Sequence, residues 1–124
     1  MKKKTEVDTF LELWNESNKK SFISGKDLRE YINSEFIWSC FAHVIPKNGM
    51  STLVFPNKKV KDELLRHNKE NIVLLTPHEH FLIDQGTEKG RKQYEEECNC
   101  SFDKFYKLKE RLIEEIKQKI KSWT

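Results

Sequence analysis

Apolar side chains recur at positions 7, 10, 11 and 14, the three- and four-residue steps of a helix, so residues 5–19 are expected to form an amphipathic helix. Residues 21–26 read as a turn around Gly25. Asp27 followed by Glu30 is a capping-box signal for a short helix to about Ile32, with a hairpin as the alternative. Residues 36–44 are rich in aromatic and β-branched side chains, which predicts a buried strand ending near Pro46. Residues 46–70 hold two prolines and a glycine and read as a long loop, with a helical turn around 62–66. Asn71-Ile-Val-Leu-Leu75 predicts a second strand. In Thr76-Pro77-His78-Glu79 the threonine caps, the proline suits the first helical position and the glutamate closes a capping box; Gly86 ends that helix about two turns later. Helices are expected at 88–97 and at 102–121, the latter with Phe105, Leu108, Leu112, Ile116 and Ile120 along one face.

This order of elements predicts an α+β fold in which a strand, a long loop, a strand and a short helix lie between N- and C-terminal helices. The 124 residues suit a single domain, 1–124, with a C-terminal helix over 101–122. Charged residues make up 35% and the mean hydropathy is -0.79. Eight Phe, three Trp and three Tyr nevertheless exclude a disordered chain. No apolar run approaches the roughly 18 residues of a membrane span, and the Lys2–Lys4 start is followed by Thr5, Glu6 and Asp8 rather than by a signal-peptide core. Three cysteines, an odd number, argue against a disulfide framework and for a reducing cytoplasm.

The net charge of +3 matters for its location. Residues 1–42 carry seven basic and seven acidic groups and residues 76–124 carry ten of each, whereas residues 43–75 carry six and three. The surplus therefore falls on one stretch, through Lys47, Lys58, Lys59, Lys61, Arg66 and Lys69.

Three of the four histidines, His43, His78 and His80, flank or sit on the strand–helix unit. His80 and Asp84 are four residues apart on the expected helix and so share a face, where an imidazole nitrogen and a carboxylate can hold one divalent cation. Mixed nitrogen and oxygen donors fit Mg²⁺, Mn²⁺, Ni²⁺ or Zn²⁺, and spacing does not choose among them. The alternative is a solvated surface helix. His43, at the end of an apolar strand, is placed either to take a proton from water or to rest on a backbone carbonyl as a core-edge residue. Asn71 either pins a loop or simply opens a strand.

Three segments in order, Phe41-Ala-His43-Val-Ile-Pro-Lys47, Glu70-Asn71-Ile-Val-Leu-Leu75-Thr-Pro77 and Glu79-His80-Phe-Leu-Ile-Asp84, resemble the His–Asn–His signature of HNH endonucleases, and more narrowly small phage-type HNH proteins. The run from Asn71 to His80 is also similar to the corresponding stretch of colicin nuclease domains. The resemblance implies a ββα-metal finger over 36–86 that hydrolyses DNA phosphodiesters with one divalent cation, Mg²⁺ or Mn²⁺ before Ni²⁺ or Zn²⁺. It makes His43 the general base, Asn71 the residue that orients it, and His80 and Asp84 metal ligands. DNA is then the partner, met by Lys47, Lys58, Lys59, Lys61, Arg66 and Lys69, with Arg91 and Lys92 weaker candidates. The setting it implies is the cytoplasm of a bacterial host, for a phage or bacterial protein acting as a monomer or homodimer.

The chain departs from the family pattern in two places. Ala42 stands where many members carry a further metal ligand, with His78 or Glu35 as substitutes. The zinc-knuckle positions look like Ser21, Ser24, Thr76 and Glu79, none a thiolate, and Cys98-x-Cys100 is too close for that motif, so no structural zinc is expected. Two other readings fit the same residues: a non-catalytic nucleic-acid-binding or packaging protein that keeps the scaffold, and an assembly module that pairs through its terminal helices.

Overall fold

A computed structural model describes residues 5–122. The first helix, α1 (Glu6–Glu16), starts at a capping box in which Thr5 and Asp8 exchange backbone and side-chain hydrogen bonds. It ends three residues short of the expected boundary. Ser17 Oγ bonds the Trp14 carbonyl, and Lys19 takes a left-handed φ of 59° that no helix accommodates. Phe10 and Trp14 are buried, while Val7 and Leu11 of the same stripe remain exposed. The turn at 21–26 is closed by Ser21 N–H to the Lys26 carbonyl, with Gly25 at φ +77° supplying the reversal. A 3-10 turn at Arg29–Tyr31 follows, its Arg29 amide held by the Asp27 carboxylate.

The strand expected over 36–44 is mostly something else. Glu35–Cys40 form a 3-10 helix started by Ser34, whose hydroxyl accepts from Phe36 N–H, and only Phe41–His43 are extended as β1. Aromatic content alone does not make a strand; a partner must be present, and β2 (Ile72–Leu74) offers only three residues. The pair is antiparallel, with Phe41 opposite Leu74, Ala42 opposite Val73 and His43 opposite Ile72. The connection between them is not wholly loop. Asn57 caps α2 (Lys58–Leu64), which begins four residues before the expected turn.

Then come α3 (Pro77–Asp84), capped reciprocally by Thr76 and Glu79, α4 (Glu88–Cys98) and α5 (Asp103–Ser122). Gly86 is required where it is, because a Cβ there would lie 2.6 Å from the Leu82 carbonyl oxygen. The architecture is thus α+β, mainly helical with one antiparallel hairpin. No described helix is long and apolar enough to cross a membrane.

Strand alternation sorts the core into two. Ala42, Val44, Val73 and Leu75 face one cluster, which α3, α4 and α5 complete with Leu82, Tyr94, Phe105, Leu112 and Ile116. Phe41, Ile72 and Leu74 face the other, completed by Phe10 and Trp14 of α1 and by Leu28 and Cys40. His43 has the parity of Phe41 and therefore points to the α1 side. A one-residue slip would turn it into the other core, so burial of Ala42 and Phe41 on opposite faces fixes where His43 emerges.

Candidate active site

His43 emerges beside the end of α2. Its Nε2 lies 2.9 Å from the Arg66 carbonyl oxygen. A carbonyl only accepts, so Nε2 carries the proton and Nδ1 keeps its lone pair. Burial pushes the imidazole pKa below its ordinary 6.5, outweighing the Arg66 carbonyl and the Glu6 carboxylate, which favour the charged form. The ring is accordingly a neutral base at pH 7.

Asn71 is fully buried and every arm of its amide is engaged. Its Oδ1 accepts from Ile45 N–H at 2.8 Å, and its Nδ2 donates to the carbonyls of Ile45 at 3.0 Å and Leu65 at 3.1 Å. Its own carbonyl accepts from Val44 N–H. Asn71 therefore clamps the chain just beyond β1 to the end of α2. The Leu65 carbonyl it holds immediately precedes the Arg66 carbonyl that orients His43.

His80 is fixed in the same manner from the opposite nitrogen. Nδ1 donates to the Ser39 carbonyl at 2.8 Å, which leaves the lone pair on Nε2, 3.1 Å from Asp84 Oδ2. Two lone-pair donors facing each other repel unless a proton or a cation lies between them. About 3 Å is also the donor spacing across one corner of an octahedron with bonds of about 2.1 Å. The pair thus fits a hard divalent ion. Among the described residues no group of three or more His, Cys, Asp or Glu side chains gathers to hold one, so solvent and substrate oxygens would fill its remaining positions. His78 packs against Tyr94, ring centroids 5.4 Å apart, and neither His78 nor Glu35 lines the cleft with His80 and Asp84.

His43, His80 and Asp84 line one cleft of about 420 Å³, together with Glu6, Lys47 and Trp38. Glu6 and Trp38 carry no sequence signal for this. Glu6 meets Lys47 across 41 positions and Arg66 across 60, contacts that only the packing of α1 creates.

The six basic residues divide. Glu6 contacts Lys47 and Arg66, each at 3.2 Å, and Arg66 also faces Asp62 at 3.6 Å. Lys69 bonds Glu16 at 2.8 Å. Lys58, Lys59 and Lys61 project from α2 with no acidic partner among the described residues. If phosphates use this surface, the Glu6 carboxylate opposes them. Glu6→Gln is expected to tighten DNA binding at low salt by roughly five-fold, the scale of about 1 kcal/mol for one such charge, with the gain fading as salt rises; fluorescence anisotropy across a salt series reads it.

The four positions equated above with knuckle ligands do meet, around one carboxylate. Glu79 accepts from Ser21 Oγ and Tyr94 Oη, each at 2.5 Å, and from Thr76 N–H at 2.8 Å. Burial works against its charge, but hydrogen bonds from Ser21, Ser24, Tyr94 and Thr76 prevail and hold its pKa below the ordinary value. The cluster ties the 21–26 turn and α4 to the first turn of α3, next to His80. All three cysteines are free thiols, Cys40 buried with its pKa raised to about 11 by desolvation.

Comparison with protein-family models, with curated proteins and with solved structures gave no significant match.

Proposed function

We propose that this protein is a metal-dependent HNH endonuclease and that 36–86 form its ββα-metal finger. The observation that carries the reading is the convergence of His43, His80 and Asp84 on one cleft, with both imidazole tautomers set by backbone carbonyls. His43 Nδ1, the nitrogen left without a proton by the Arg66 carbonyl, takes the proton of an attacking water, and Asn71 holds the backbone that carries that carbonyl. His80 and Asp84 would hold a divalent cation, Mg²⁺ or Mn²⁺, which when bound would supply Lewis-acid stabilisation of the phosphate charge and of the leaving oxygen. The unpaired lysines of α2, and Lys47 and Arg66 once released from Glu6, neutralise the DNA backbone.

Purified protein with Mg²⁺ or Mn²⁺ is expected to nick supercoiled plasmid, and chelator to stop it. Nicking that persists in chelator would sink the proposal. A second reading, a nucleic-acid-binding protein that keeps the scaffold without the chemistry, is favoured by Ala42, which leaves the cation two protein donors. A salt-dependent gel shift with no cleavage under any divalent ion would select that reading.

A further inference from the structure

Trp38 forms part of the cleft wall and is 48% exposed. Its indole is backed by Phe10 and Phe41 at centroid distances of 6.5 and 6.2 Å, and those two rings stack on each other at 4.6 Å. The residue after it, Ser39, supplies the carbonyl that fixes His80. The cleft therefore presents a large flat ring, stiffened from behind and half in water, in the same hollow as the candidate base and cation ligands. An indole that served only the core would lose this exposed face to burial, as Trp14 does at 6%.

Charge accompanies the ring. Lys47 and Asn48 line the same cleft, and Asn48 is shared with a neighbouring hollow lined by Gly49 and Lys61. Lys47, paired with Glu6 at 3.2 Å, and Lys61 thus mark the way from the indole wall to α2, with Glu6 and Asp84 as the acidic groups of the cleft. An aromatic face with lysines beside it is the recognition chemistry of an unpaired strand, since each base offers a π-face and each phosphate a charge. In a duplex both faces of a base are covered by its neighbours, and a ring set in a cleft wall reaches one only after it has left the stack.

We propose that the cleft takes single-stranded DNA, with an unpaired base stacked on Trp38 beside the phosphate that faces His43, His80 and Asp84. The phosphate placement rests on the nuclease reading; the stacking does not.

The test is the affinity of the whole protein, in chelator, for a short labelled single strand and for the same sequence as duplex. The single strand binds more tightly. Trp38→Leu, which keeps an apolar side chain without the π-face, weakens single-strand binding by roughly ten-fold and duplex binding by less, whereas Trp38→Phe retains most of the affinity. Equal or tighter duplex binding, or equal single-strand affinity for the leucine and phenylalanine variants, overturns the proposal. Because no cleavage is measured, the outcome is separate from that of the nicking assay: a protein that cuts duplex plasmid and ignores Trp38→Leu refutes the stacking and leaves the nuclease reading standing.

Discussion

His43→Ala is expected to lower plasmid nicking by roughly 10²- to 10⁴-fold, the usual contribution of a positioned general base, with the fold retained. The side chain gives up one part-buried hydrogen bond, to the Arg66 carbonyl. The pH profile supplies a second signature. Burial depresses the His43 pKa from 6.5, so the basic form persists through neutrality. The contribution of His43 to the rate is fully present above 6.5 and falls away only as pH drops through the lowered value. The ratio of wild-type to His43→Ala rates should therefore be flat from neutral to mildly acidic pH and shrink below that. A ratio that still climbs from pH 7 to 8 would mean that His43 is charged at neutrality and is not the base. Folding stability follows the same sign, because a base that is buried neutral loses its contribution on the acid side.

Asn71→Ala carries the largest expected loss of stability, about 3 kcal/mol, or a fall of about 10 °C in Tm. It removes three side-chain hydrogen bonds at once and leaves the Ile45 amide and the carbonyls of Ile45 and Leu65 without partners in a site closed to water. Asn71→Asp should do no better. It keeps an acceptor for Ile45 N–H but sets a carboxylate against two carbonyls that need donors. Thermal unfolding of both variants checks the stability. Nicking measured well below their Tm checks the positioning, since the residue after Leu65 holds His43; full activity in a folded Asn71→Ala protein would remove Asn71 from the catalytic account.

The readable parts of this chain were those decided locally. Thr76-Pro77-His78-Glu79 starts α3 because capping needs only four residues, and α3 then puts His80 and Asp84 on one face by its own period. The α5 stripe declared itself because 20 residues repeat one spacing. The segment 36–40 misled, because aromatic side chains serve a strand or an exposed wall equally well, and the choice lay with Ser34 as a cap and with the short partner strand. The extended reading of that segment also hid Trp38, which faces solvent only because the 3-10 helix turns it out. Glu6 was beyond reach for another reason. Its contacts with Lys47 and Arg66 follow from the docking of α1 on the face of Phe41 and Ile72, and nothing near Glu6 in the chain encodes it. The knuckle positions stand between these cases: their places are legible, but their gathering around a buried carboxylate depends on Ser21 and Tyr94 reaching Glu79 from distant parts of the chain.

In the proposed mechanism His43 works across a phosphate from a cation on His80 and Asp84. Crystals soaked in Mn²⁺ would locate that cation through its anomalous signal. A peak shared by His80 Nε2 and Asp84 Oδ2, in the cleft that His43 also lines, is the expected result. An ion bound elsewhere, or none at a concentration that supports nicking, would contradict it.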